Sequence, residues 1–134
     1  MIDYKKLINK AKNVQKNAYS PYSKFKVGAC VLTKNNNYYC GVNVENASYG
    51  ATICAERNAI NNAISNGEKE FIAIAITSSS KDYTFPCGIC RQYLTEFNKD
   101  IKIIVAKNEN EYKIYTLEDL VPNYFSIKDI KWEQ

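Results

Sequence analysis

FIAIAITSS, residues 71–79, decides the fold. Phe71 to Ile76 are apolar at successive positions, so a strand built from them has no polar face and must be covered on both sides. Such a strand belongs inside a sheet with helices above and below. The run is the longest apolar stretch of the chain and falls far short of the ~20 residues that a membrane-spanning helix needs.

The neighbouring segments supply the rest of that sheet and its covering. Downstream, IKIIVAK (101–107) and EYKIYT (111–116) read as two strands joined by the polar turn Asn108-Glu109-Asn110. Between them and residues 71–79, the loop KDYTFP (81–86) leads to Cys87 and a helix over GICRQYLTEFN. Upstream, FKVGACVLT (25–33) and YYCGVNVE (38–45) flank an Asn35-Asn36-Asn37 turn as a β-hairpin. A helix from about Thr52 to Asn66 stops at Gly67. Residues 3–17 carry Tyr4, Leu7, Ile8, Ala11 and Val14 at helical spacing, and SPYS (20–23) breaks that helix. A short helix at LEDLVP (117–122) and the tail NYFSIKDIKWEQ end the chain. The order α-β-β-α-β-α-β-β-α predicts an α/β fold, a three-layer α/β/α sandwich with a mixed five-stranded sheet, in one domain over residues 1–134.

An apolar share of 46% and a charged share of 24% are those of a soluble globular protein. The opening MIDYKKLINK lacks the apolar core of a secretory signal, so a cytoplasmic protein with reduced thiols is expected. The net charge of +4 rests almost wholly on lysine, densest at Lys5, Lys6, Lys10, Lys12 and Lys16. These fall on the solvated side of the first helix, and no aromatic residues are interleaved for base stacking, so no nucleic-acid partner and no membrane partner are expected.

The chain has five cysteines and no histidine. Cys30 and Cys40 lie within the hairpin strands and read as small core residues. Cys87 and Cys90 form Pro86-Cys-Gly-Ile-Cys where a loop runs into a helix, and Cys54 stands at another helix start. A helix N-terminus favours the thiolate, the form that binds metal. Three such sulfurs could hold one Zn²⁺ and leave its fourth tetrahedral position open, as a catalytic site requires. The rival reading of CxxC is a redox dithiol, which leaves Cys54-Ala-Glu56 unexplained. The only two arginines, Arg57 and Arg91, follow Glu56 and Cys90 directly. Zinc with three thiolates carries a net negative charge, and guanidinium hydrogen bonds to the sulfurs would draw some of it away; chance placement is the alternative. Glu56, two residues beyond Cys54 on the first helical turn, is placed to exchange protons with a metal-activated water.

Cys54-Ala-Glu56 and Pro86-Cys87-Gly-Ile-Cys90-Arg-Gln92 match the zinc deaminase signature, with cysteine where many members have histidine. AYSPYSKFKVGAC (18–30), GVNVENASYGATICAERNAI (41–60), FPCGICRQYLTEF (85–97) and LEDLVPNYF (117–125) extend the likeness. The chain thus resembles the small homotetrameric cytidine deaminases. The resemblance implies one Zn²⁺ per subunit on Cys54, Cys87 and Cys90, and Glu56 as proton shuttle. It implies a nucleoside substrate, with Asn43 and Glu45 on the ribose, Phe25 against the pyrimidine and the Ala55 backbone near the ring carbonyl. Ala47, Tyr49 and Phe125 resemble residues that reach a neighbouring subunit's site. A deaminase of a cytosine-containing antibiotic of the blasticidin S type shares the zinc motifs; Asn43-Val-Glu45-Asn-Ala favours the nucleoside.

Overall fold

In a computed structural model of the chain, residues 1–130 are described. The last four residues of the expected domain and tail, 131–134, lie outside them. Helix α1 spans Tyr4–Gln15, and Asp3 caps it by accepting from the Lys6 N–H at 3.1 Å. Strands β1 (Val27–Thr33) and β2 (Tyr38–Val42) form the expected hairpin. A short 3-10 turn at Tyr49–Ala51 leads to α2 (Ala55–Ser65). Then follow β3 (Phe71–Ser78), α3 (Gly88–Thr95), β4 (Lys102–Asn108) and β5 (Glu111–Tyr115). Short helices α4 (Leu117–Leu120) and α5 (Ile127–Ile130) close the described chain.

The strands form one sheet in the order β2-β1-β3-β4-β5. β3 sits at its centre, antiparallel to β1 and parallel to β4. A parallel pair needs a crossover connection, and α3 provides it. Side chains of β3 alternate between two cores. Ala73 and Ala75 face α1 with Cys30, Leu32 and Ile104, against Leu7, Ile8 and Ala11. Ile74 and Ile76 face the other side with Ala29, Val31 and Ile103, under Ala55, Ala59 and Ile60 of α2 and Leu94 of α3. The sandwich expected from an all-apolar strand is therefore present. Removing a side chain such as fully buried Ile74 costs about 2–5 kcal/mol on this scale of packing.

Two glycines let helices lie directly on strands. A Cβ at Gly41 in β2 would sit 2.3 Å from the Ala59 amide nitrogen of α2, and one at Gly28 would sit 2.1 Å from the Ala11 carbonyl oxygen of α1. Only an absent side chain allows those contacts.

Local differences from the sequence reading have plain causes. β2 ends at Val42, because residues 43–45 leave the hairpin to bond elsewhere: Val44 bridges both Tyr19 and Ile53. α2 begins at Ala55 because Cys54 takes the capping position with extended backbone. α5 arises in the tail, where Ser126 and Asp129 bond across its first turn at 2.7 Å.

Beyond α2, buried Glu68 organises the hairpin turn. It accepts from the Asn35 and Asn37 amides at 3.0 and 2.7 Å and from the Tyr39 hydroxyl at 3.3 Å. These bonds, that from Asn37 foremost, hold the carboxyl below its ordinary value of 4.5. A depressed carboxyl stabilises the fold above its unfolded pKa and loses that contribution as pH falls through the folded one. The Tm difference between the native chain and Glu68→Gln is therefore expected to be constant at neutral pH and to shrink as pH drops below 4.5. Thermal melts across that range check it; a difference independent of pH contradicts the assignment.

Candidate active site

The N-termini of α2 and α3 meet. Cys54 caps α2 and Cys87 caps α3, both with extended backbone and neither using its side chain to cap its helix. The two sulfurs are thus free to face each other, 3.6 Å apart. Cys90, buried in the first turn of α3, completes a cluster whose three sulfurs lie within 4.8 Å of one another. It is the one group of three histidine, cysteine or acidic ligand atoms so gathered among the described residues. Tetrahedral Zn–S bonds of ~2.3 Å place sulfurs roughly 3.8 Å apart, so this donor set fits zinc.

Electrostatics prepare the sulfurs for a cation. A hydrogen bond from Cys90, helped by Arg57 and Cys87 and opposed by burial, lowers the Cys54 thiol to about 5. Cys90, the other partner of that bond and itself buried, is pushed up instead. One thiolate is therefore already favoured, at a point where two helix dipoles present their positive ends.

Arg57 lies beside Cys54. Its Nη2 donates to the Cys54 sulfur at 3.5 Å, while its buried Nε has no partner among the described residues. Arg91 takes a different position from the one expected. Its Nε donates to the Pro86 carbonyl at 2.8 Å and its Nη1 to the Leu120 carbonyl at 2.7 Å. One residue further along a helix is about 100° round the axis, so when Cys90 faces the cluster Arg91 faces α4. It holds the loop that delivers Cys87 rather than the sulfurs themselves.

Beside the cluster lies a pocket of about 180 Å³ whose walls include Phe25, Asn43, Ala55, Glu56, Phe85 and Cys87. Glu56 is only 4% exposed. Burial, with the Cys54 charge adding, raises its carboxyl to about 7, against the pull of its own backbone and of Arg57. A carboxyl poised near neutrality both accepts and donates a proton. Ala55, also lining the pocket, is fully buried.

Asn43 and Glu45 have separated tasks. Asn43 accepts from the Val27 N–H at 2.9 Å and donates to the Phe25 carbonyl at 2.8 Å, which fixes the backbone that presents Phe25. Glu45 lies in an adjoining depression with Tyr22, Ser23 and Tyr49, and Thr52 lines both hollows. Its carboxylate accepts from the Ser23 hydroxyl and from the Tyr22 and Ser23 N–H groups at 3.0 and 3.1 Å. Those bonds, the hydroxyl first, keep it ionised below its ordinary range. Ala47, Tyr49 and Phe125 are exposed and outside the walls of the sulfur-side pocket among the described residues. Gln92 donates to the Phe125 carbonyl at 2.8 Å and so ties the segment carrying that ring to α3.

The sequence reading missed four pocket residues, Val27, Thr52, Thr84 and Phe85. Phe85 packs edge-on against Tyr115 of β5, and Thr84 bonds the Ser78 hydroxyl at the end of β3. A large aromatic two residues before Cys87, in a loop that must pass the site, was the available signal.

Residues 1–107 match the family model described as the cytidine and deoxycytidylate deaminase zinc-binding region. A cytidine deaminase of Halalkalibacterium halodurans is 38% identical over 96% of this chain and 98% of its own. That of Sporosarcina psychrophila is 37% identical over 98% of this chain and 97% of its own. Among solved structures, a Burkholderia pseudomallei cytidine deaminase superposes with a TM-score of 0.86 at 38% identity, covering 93% of this chain and all of that one. A Mycobacterium tuberculosis cytidine deaminase gives 0.82 at 34% identity, covering 94% and 99%.

Arg57→Gln removes the charge beside Cys54 while keeping polar volume. It is expected to weaken zinc retention about 10–100-fold, the usual range for a residue that supports a metal ligand. Competition with a chromophoric chelator measures this; unchanged retention contradicts the role.

Proposed function

The chain belongs to the cytidine and deoxycytidylate deaminase family, and on that premise we propose that it hydrolyses cytidine and deoxycytidine to uridine and deoxyuridine with release of ammonia. The observation that carries the reading is the buried Glu56 carboxyl sharing one small pocket with Cys54 and Cys87 of a three-sulfur cluster that fits zinc. Cys54, Cys87 and Cys90 would hold the ion. Bound there, zinc supplies Lewis acidity that makes a water nucleophilic near neutral pH.

The remaining steps belong to the protein. Glu56 takes the proton from the attacking water and passes it to N3 of the cytosine ring as C4 becomes tetrahedral. It then carries the proton of the new C4 hydroxyl to the amino group, which leaves as ammonia as C4 becomes a carbonyl. One carboxyl performs each transfer in turn, which its raised pKa allows. Phe25 packs on the pyrimidine, and Asn43 holds Phe25 in place while offering its remaining hydrogen-bonding capacity to the sugar. The Ala55 backbone meets the ring carbonyl. Glu45, fixed and ionised in the adjoining depression, accepts from ribose hydroxyls. The antibiotic-directed and redox alternatives are not favoured.

The working form we infer is a homotetramer in the cytoplasm. Exposed Tyr49 (80%) and Phe125 (58%), with Ala47, support contributions to a neighbouring subunit's site. Five free thiols suit a reducing compartment. No helix among the described residues is long and apolar enough to cross a membrane.

Glu56→Gln is expected to retain one zinc per chain by metal analysis and to lose about 10²–10⁴-fold in kcat, followed as the absorbance change and ammonia release on cytidine. A zinc-loaded variant with native turnover would sink the assignment. Light scattering is expected to return four chain masses for the native protein; a monomer with full activity contradicts the shared site.

A further inference from the structure

Cys30 and Cys40 take no part in the site described above. They are direct partners in the hairpin register, Cys30 on β1 opposite Cys40 on β2. The hairpin closes with the Thr33 N–H donating to the Asn37 carbonyl at 2.9 Å and the Asn37 N–H turning to the Thr33 hydroxyl at 3.2 Å, so Thr33 is a position whose backbone points toward the partner strand. Bonded and non-bonded pairs alternate along an antiparallel ladder. From Thr33, the next bonded pair is Val31 with Tyr39, and Cys30 with Cys40 falls on a non-bonded one. Such pairs bring Cα atoms to about 4.5 Å, with side chains closest to each other. That separation lies inside the window of roughly 4.4–6.8 Å that a disulfide spans.

Both side chains belong to the core beneath α1, so they project to one face. Cys30 is fully buried, while Cys40 is partly exposed and its sulfur lies 3.8 Å from the Lys10 carbonyl. A hydrogen bond from Cys30 lowers the Cys40 thiol, burial opposes this, and the Lys10 charge assists. The outer thiol is thus the more accessible, and the inner one is its direct cross-strand partner.

We propose that Cys30 and Cys40 form a thiol–disulfide exchange site that reacts with small-molecule disulfides and closes into a cross-strand disulfide. The Cys40 thiolate attacks one sulfur of the small disulfide, whose S–S bond breaks and releases one thiolate. The Cys30 sulfur, giving up its proton, attacks the Cys40 sulfur of the resulting mixed disulfide and expels the second thiolate. Two protein thiols are oxidised, one small disulfide is reduced to two thiols, and the two protons finish on those products. The site is independent of the deamination reading: it involves neither the three-sulfur cluster nor Glu56.

The test uses the full chain, zinc-loaded, with oxidised glutathione as probe. Peptide mapping is expected to find Cys30 joined to Cys40, with a loss of two hydrogens in intact mass and no loss of zinc. The cross-link is expected to raise Tm by roughly 5 °C, reversed by a reducing thiol. Cys40→Ser is expected to abolish the reaction, and Cys30→Ala to trap a glutathione adduct on Cys40. The proposal is overturned if the native chain stops at a mixed disulfide, if linkage needs denaturant, or if only Cys54, Cys87 and Cys90 become oxidised.

Discussion

Two helices aim their N-termini at one point, and the chemistry of this protein depends on that convergence. A helix start presents unpaired N–H groups and a positive dipole end, so it attracts negative charge. Here α2 and α3 both begin with a cysteine whose sulfur is not spent on capping, and those sulfurs stand 3.6 Å apart. The sheet makes this possible. α3 is the crossover that lets β3 and β4 run parallel, and α2 rests on β2 across Gly41 at a distance no side chain would permit. Core packing of small residues therefore fixes where three thiols and a carboxyl meet.

Much of this was legible in the chain. The unbroken apolar run at Phe71 to Ile76 required a strand covered on both faces, and the opposing cores formed by its alanines and isoleucines are that covering. The three cysteines were legible because each stands beside a helix-start pattern. The direction of Arg91 was hidden, since sequence adjacency to Cys90 says nothing about position around a helix. The end of β2 was also hidden. Asn43 and Glu45 alternate with valines as a strand would, yet the backbone there leaves the hairpin to pair with Tyr19 and Ile53. Thr84 and Phe85 lay in a loop with no periodicity, and only the tertiary path of that loop brings them to the pocket.

The division between Asn43 and Glu45 shows how a fold makes two uses of one short segment. Asn43 spends two hydrogen bonds on the Phe25–Val27 backbone and so shapes the pocket wall. Glu45 is held by the Ser20–Ser23 turn region through Tyr22 and Ser23, leaving a charged acceptor of fixed direction. Fixing such groups before a ligand arrives lowers the ordering cost of binding.

The idle caps of α2 and α3 have a thermodynamic corollary. Most helix starts recruit a serine, threonine or acid to satisfy their first amides, and α4 does so with Thr116 and Asp119. At α2 and α3 the capping position is occupied instead by a cysteine of the three-sulfur cluster. A cation bound there would act as a common terminus for both helices, coupling secondary structure to mass action. Its free concentration then enters the folding equilibrium, by about 2.7 kcal/mol at a hundred times its Kd. The protein's apparent robustness would therefore track the metal supply of its surroundings as well as its sequence.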